Sequence, residues 1–174
     1  MANQQNAGYG SHVVQYPLEY SMCTGCKSCE IICSLTHEKN VRHSNRRITC
    51  ELGDPLSPIH MIHSCQHCID HPCYNACPKK GIAMRIDEND VVYVVEDECI
   101  GCGKCARACK FEPSRIIMTQ DPAKIRKAKK CDLCRTRAEG PACVQWCPAY
   151  CLGLSDEENA AAEPLPQLPV TTND

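Results

Sequence analysis

Residues 99–109 read CIGCGKCARAC and residues 23–33 read CTGCKSCEIIC, two copies of the pattern C-x2-C-x2-C-x3-C. Two further stretches close with the same x3 gap. CQHCIDHPCYNACP (65–78) reads C-x2-C-x4-C-x3-C-P, and CDLCRTRAEGPACVQWCP (131–148) reads C-x2-C-x8-C-x3-C-P. Sixteen of the eighteen cysteines fall into these groups: Cys23, Cys26, Cys29, Cys33; Cys65, Cys68, Cys73, Cys77; Cys99, Cys102, Cys105, Cys109; and Cys131, Cys134, Cys143, Cys147. Such runs have the ligand spacing of bacterial cubane iron–sulfur centres, in which the fourth cysteine serves the other cluster of a pair. At four thiolates per cubane, the sixteen cysteines predict four [4Fe–4S] clusters. Electron conduction is the function this predicts.

The spacing has a physical cause. Each iron corner of a cubane takes one soft thiolate. Cysteines at i, i+3 and i+6 let a tight loop reach three corners, and Gly25, Gly101 and Gly103 permit backbone conformations that other residues resist. A cysteine four residues after the third lies about one helical turn on and points towards a neighbouring centre. Each motif then gives three ligands to one cluster and one to its partner. Spacing leaves two pairings open: motif I with IV and II with III, or I with II and III with IV.

Composition points the same way. Cysteine exceeds a tenth of the 174 residues, aromatics are 5%, and Trp and Phe occur once each. So few large side chains cannot fill an ordinary core, and metal centres are expected to take its place. A disulfide scaffold belongs to short secreted chains. The opening MANQQNAGYGSHVVQYPLEY has neither the basic start nor the apolar run of a secretory signal. Arg46-Arg47 lies too far inside, without a following apolar run, to act as a twin-arginine signal. No apolar stretch reaches membrane-spanning length. A cytoplasmic location, where thiols stay reduced and cysteine patterns imply metal, is expected.

Formal charge is −2 with cysteines neutral. Four oxidised cubanes, each carrying roughly −2 with its thiolates, bring the loaded chain to about −10. Lys124, Arg126, Lys127, Lys129 and Lys130 run into motif IV, with Arg135 and Arg137 inside it. Acidic groups such as Glu96-Asp97-Glu98 match this run and no aromatics interleave, which argues against nucleic-acid binding. A solvated face that also offsets cluster charge is expected instead.

Ile82–Ile86 and Val91–Val95 flank Asp87-Glu-Asn-Asp90 as a β-hairpin. Arg115–Thr119 is expected to pair with Lys124–Lys130, and Arg46–Glu51 with Ile59–Ile62. Short helices are expected after the third cysteine of each motif, clearest over Cys29–Glu38 and Cys102–Cys109, with Pro78 and Pro148 ending the second and fourth. The predicted fold class is α+β, ferredoxin-like: a pseudo-repeated double bacterial ferredoxin of short hairpins and short helices around four clusters. Residues 1–12 read as a flexible segment, 13–154 as the four-cluster domain, and 155–174, with three prolines, as an extended or disordered tail.

With these motifs in view, the chain resembles the four-cluster electron-transfer subunits of molybdenum and tungsten oxidoreductases, the dimethyl sulfoxide reductase-type iron–sulfur subunits and their soluble relatives. CQHCIDHPCYNACP is similar to that family's second motif and KCDLCRTRAEGPACVQWCP (130–148) to its fourth. CTGCKSCEIICSLTHE (23–38) is similar to the first motif of proteins that accompany tungsten-dependent aldehyde oxidoreductases. The resemblance covers residues 13–154. It implies nested clusters: Cys23, Cys26, Cys29 with Cys147; Cys131, Cys134, Cys143 with Cys33; Cys65, Cys68, Cys73 with Cys109; and Cys99, Cys102, Cys105 with Cys77. It also implies a catalytic molybdenum or tungsten subunit as partner, tungsten aldehyde oxidoreductase first, with a flavin- or NAD-linked subunit as second redox partner. Hydrogenase, carbon monoxide dehydrogenase and formate-type systems are the alternatives.

The family has proline after the last cysteine of motif III, where this chain has Lys110. A cation there is expected to raise one cluster's potential. Cys50 and Cys151 lie outside the motifs and read as small buried apolar residues. His63, His67 and His71 read as structural or hydrogen-bonding groups, and Trp146 and Tyr150 as packing that shields a cluster. No dinucleotide fingerprint, phosphate loop or nucleophile–base motif is present, so a non-catalytic subunit is expected. A zinc scaffold is the competing class, disfavoured because zinc ribbons use separated C-x2-C pairs. Two ends of a cluster chain also leave head-to-tail self-association open.

Overall fold

The computed structural model describes residues 9–17, 22–56, 59–120 and 125–155. Among the described residues, four antiparallel strand pairs and four α-helices form the frame. In order these are β1 (Val13–Gln15), α1 (Ser28–Glu38), β2 (Thr49–Glu51), β3 (Met61–His63), α2 (Pro72–Asn75), β4 (Met84–Ile86), β5 (Val92–Val94), α3 (Lys104–Arg107), β6 (Ile116–Gln120), β7 (Arg126–Lys130), α4 (Ala142–Gln145) and β8 (Leu152–Leu154). The pairs are β1–β8, β2–β3, β4–β5 and β6–β7. This matches the expected α+β, ferredoxin-like class of short hairpins and short helices.

Three expected hairpins form. β4 and β5 pair from Met84↔Val94 to Ile86↔Val92. Asp87 makes the turn: its Oδ1 accepts the Asn89 N–H at 3.0 Å and the Val91 N–H at 2.9 Å, a side chain standing in for backbone. β6 and β7 pair from Ile116↔Lys130 to Gln120↔Arg126; their turn lies outside the described residues. β2 and β3 pair from Thr49↔His63 to Glu51↔Met61. The β1–β8 pair brings the two ends of the described chain together, Val13 opposite Leu154. Gln15 ties it to the β2–β3 pair, donating to the His60 carbonyl at 2.9 Å and accepting the Ile62 N–H at 2.8 Å.

α1 forms over the expected Cys29–Glu38, but the other helices are shorter than expected. All four contain the third cysteine of their motif rather than follow it, and only α1 runs long. α3 covers Lys104–Arg107, well inside the expected 102–109. α2 and α4 end at Asn75 and Gln145, before Pro78 and Pro148 can act. These four-residue helices only carry a cysteine from loop to interior, and no apolar face rewards further propagation. Much of the interior is sulfur. One buried cluster gathers Cys23, Cys29, Cys33, Cys143, Cys147, Cys50 and Cys151 around Val13, Ile48 and Leu152. A second joins Cys73 and Cys105 to Met84, Val92, Ile116 and Ala128. α1 packs on α4 and α2 on α3, so motifs I and IV share one core and II and III the other. Among the described residues, no helix is long and apolar enough to cross a membrane.

Candidate metal centres

Each motif opens with a loop that turns through left-handed backbone. Gly25, Gly101 and Gly103 have φ of 68°, 67° and 71°, and Lys27 stands in the place of Gly103 at 60°. Gly101 also needs the space, because a Cβ there would overlap the Arg126 carbonyl. The loop then enters a helix whose early residues bury the third cysteine: Cys29, Cys73, Cys105 and Cys143 are all buried. Backbone N–H groups are aimed at sulfur, from Arg47 to Cys33 at 3.2 Å, Arg115 to Cys109 at 3.3 Å and Gly101 to Cys99 at 3.4 Å. Such donors favour a thiolate.

The cysteines converge in sets. Cys65, Cys68, Cys73 and Cys109 line one cavity. Cys77, Cys99, Cys102 and Cys105 line a second, and Cys23, Cys26, Cys29 and Cys147 a third. The remaining four also meet: burial first, then the charges of Cys33 and Cys134, raise Cys143, and burial first, then Cys143 and Cys33 among others, raise Cys131. Each set joins three cysteines of one motif to one of another. The sets are neighbours in a row. Cys29 acts on Cys143, Cys65 on Cys131, and Cys73 on Cys105. At the two ends Cys26 and Cys102 are exposed, while no other cysteine in the row is.

Without metal, several of the buried thiols resist ionisation. Burial pushes Cys29 up to about 12, helped by the charges of Cys50 and Glu30, and pushes Cys33 and Cys105 up to about 11. Cys26 moves the other way, lowered chiefly by its hydrogen bond to Ser28 Oγ at 3.3 Å. Sets of four soft donors, each with at least one buried cysteine, and with N–H groups aimed at several of them, suit a metal that holds thiolates ionised. The sixteen candidate ligands fit an iron–sulfur centre in each set.

Several neighbours were invisible in sequence. Cys50 and Cys151 are buried as expected, yet they line the cavity of Cys23 and Cys147, with Cys151 Sγ 3.5 Å from Cys147 Sγ. Burial pushes Cys50 up to about 12, so it stays a neutral thiol. His37 Nε2 lies 3.6 Å from Cys134 Sγ and 3.4 Å from Asp132. Burial first and Arg47 second hold its ring below the usual range. His63 bonds Glu51 at 2.5 Å, while His67 and His71 line the Cys65 cavity.

Two expectations need correction. The basic run is only in part a solvated face: Arg126 and Arg135 are exposed, but Lys129 and Lys130 are 4% and 2% exposed. Lys129 pairs with Glu38 at 2.5 Å and Glu96 at 2.8 Å, joining Arg47 in a buried network. Lys124 lies outside the described residues. Lys110 lines the Cys65 cavity and pairs with Asp70 at 2.7 Å, while its charge also acts on Cys68, lowering a thiol that burial raises. Trp146 and Tyr150 are 61% and 63% exposed, so neither packs as a shield.

The profile of the 4Fe-4S dicluster domain matches residues 59–157, spanning motifs II, III and IV. The chain belongs to the 4Fe–4S dicluster family. Among its relatives, YsaA of Escherichia coli strain K12 is 34% identical over 157 residues, covering 85% of this chain and 93% of that one. The electron transport protein HydN of the same strain is 32% identical over 164 residues, covering 82% and 90%. The polyferredoxin-like subunit of the aliphatic sulfonate oxidoreductase of Pyrococcus furiosus is 38% identical over 126 residues, covering 72% and 66%.

Proposed function

We propose that the chain is a non-catalytic electron-transfer subunit carrying four [4Fe–4S] clusters in a row. The single observation that carries this is the convergence of the sixteen motif cysteines into four sets of four, with exposed cysteines only at the two ends. Each cluster supplies one-electron redox chemistry. The nested assignment fits the cavities: Cys23, Cys26, Cys29 with Cys147; Cys131, Cys134, Cys143 with Cys33; Cys65, Cys68, Cys73 with Cys109; Cys99, Cys102, Cys105 with Cys77. The protein orients the thiolates, excludes water from the inner sets and leaves Cys26 and Cys102 at the surface, where partners would dock.

The domain is read as residues 13–154, which the β1–β8 pair supports by closing the chain on itself. The pseudo-repeat is supported by two cores of like construction, α1 on α4 and α2 on α3. Relatives named as an electron transport protein and as a polyferredoxin-like oxidoreductase subunit support a role beside a catalytic oxidoreductase. The partner proposed first is a tungsten aldehyde oxidoreductase-type subunit in the cytoplasm.

Iron and acid-labile sulfide per chain, measured on protein purified without oxygen, tests this. About sixteen of each is expected, with tungsten or molybdenum co-eluting. About eight would leave only a dicluster, and zinc without sulfide would end the proposal in favour of a structural scaffold.

A further inference from the structure

Lys130 is the most isolated buried charge in the described chain. Its ammonium donates to the carbonyls of Val92 at 2.7 Å and Cys131 at 3.1 Å, and to His67 Nδ1 at 3.3 Å. Its sequence neighbour Lys129 is answered by two carboxylates; among the described residues none answers Lys130. A buried cation without a counter-charge is costly. Lys130 lines the cavity of Cys65, Cys68, Cys73 and Cys109, and its charge acts on Cys73.

His67 completes the arrangement. Lysine has donors only, so His67 Nδ1 must accept, and the ring proton must sit on Nε2. That Nε2 is buried without a partner, in a side chain 2% exposed that lines the same cavity. Arg115 Nε lines it too, again buried without a partner. Orphaned buried donors are rare and call for an acceptor. Thiolate and sulfide sulfur in this cavity would supply it.

Resting on the cluster reading above, we infer that His67 donates a hydrogen bond through Nε2 to the centre held by Cys65, Cys68, Cys73 and Cys109. Lys130 fixes that tautomer and supplies an unshared positive charge, so this interior centre has the highest potential of the four. One electron arriving from a neighbouring centre in the row takes the four-thiolate cubane from roughly −2 to roughly −3. A donor and a cation at the site favour the more negative form.

The other cavities lack this combination. The neighbouring set of Cys77, Cys99, Cys102 and Cys105 is walled by Ala83, Met84, Val94 and Ala128, and its Lys79 pairs with Glu98 at 2.9 Å. The set of Cys33 and Cys134 has a similar pair, with Arg47 donating to His37 Nδ1 at 2.7 Å and His37 Nε2 3.6 Å from Cys134 Sγ, but there the Arg47 charge is shared among Glu38, Glu96 and Asp132. Beside Cys29 the buried charge is the carboxylate of Glu30. The row is therefore not level: an electron entering at either end comes to rest one step inside the Cys102 end. His67 is a positioning and tuning residue, not a ligand.

The test is an EPR-monitored redox titration of the full, anaerobically loaded chain, with iron and sulfide measured on every sample. His67→Leu is expected to lower the highest midpoint alone, by a tenfold change in the reduced-to-oxidised ratio, ~59 mV for one electron. His67→Gln, which keeps an N–H donor, is expected to shift it less, and Lys130→Met to lower it as His67→Leu does. Wild-type chain without iron and sulfide would sink the cluster reading itself. Fully loaded His67→Leu with an unmoved highest midpoint, or with a different midpoint moved, would overturn only this inference. If His67→Leu fails to hold iron, Lys130→Met decides by the same criterion.

Discussion

Cys29 and Cys73 hold the same place in their motifs, the third cysteine at the start of a helix, and burial raises both thiols, to about 12 and about 11. What stands next to them differs. Around Cys29 the next influences are Cys50 and Glu30, which push the thiol further up. Around Cys73 the next is Lys130, which pulls it down. One motif has thus been folded into two electrostatic settings, one with a buried carboxylate and spare neutral thiols, the other with a buried ammonium and unpartnered N–H donors. Ligand spacing says which metal centre is held. The second layer of residues, drawn from distant parts of the chain, sets how strongly each centre holds an electron.

The largest effect should come from removing either cysteine. Cys29→Ala and Cys73→Ala are each expected to lose about four irons per chain, read by iron assay and by the loss of one EPR signal. Because the interior is largely sulfur, each should also lower thermal stability markedly. Unchanged iron in either variant would break the equivalence of the two positions, and with it the ligand assignment.

A smaller effect is expected at Glu30. Its carboxylate accepts the Cys50 N–H at 2.7 Å and faces His43 at 3.0 Å and Arg46 at 3.6 Å. Glu30→Gln keeps an acceptor for the backbone but removes the charge. The midpoint of the Cys29 centre should rise, by up to a tenfold ratio or ~59 mV, narrowing its gap to the Cys73 centre. Weakening a charged hydrogen bond should cost about 1–3 kcal/mol, checked by denaturant unfolding. A midpoint that falls would contradict the electrostatic contrast.

The smallest effect is expected at Lys110. Its ammonium is half exposed and already paired with Asp70, so Lys110→Met should leave the Cys73 midpoint almost unmoved, far less than Lys130→Met. The pair carries its own pH signature. The Lys110 partner lowers Asp70 below 3.8, so that contribution is present above 3.8 and fades as pH falls through the depressed value. Asp70 raises Lys110 above 10.5, so that contribution is complete below 10.5 and fades as pH rises through the raised value. The difference between wild type and variant stability should therefore be flat between these limits and shrink outside them, as read by melting temperature across pH. A large midpoint shift would restore Lys110 as a tuning residue and weaken the case for Lys130.

Much was legible without coordinates. The four motifs, the hairpins at Met84–Val94 and Ile116–Lys130, the left-handed glycines and the burial of Cys50 and Cys151 all follow from local rules: ligand reach, strand alternation, turn chemistry and the missing Cβ. Those rules act over a few residues, so one chain displays them. They failed where the outcome depended on packing. Lys129 and Lys130 look like a solvated basic run, but the last three residues of β7 are buried by parts of the chain far away in sequence, Glu38 and Val92 among them. α3 stops short because its neighbours bury only its cysteine. By itself the sequence determined the chemistry of the donors and their grouping in fours. Only the tertiary structure decided that motif I meets IV and II meets III, that His67 faces Lys130 across 63 positions, and which cavity keeps an unanswered charge. Pair electrostatics depends on distance and desolvation, and neither is a property of a linear chain.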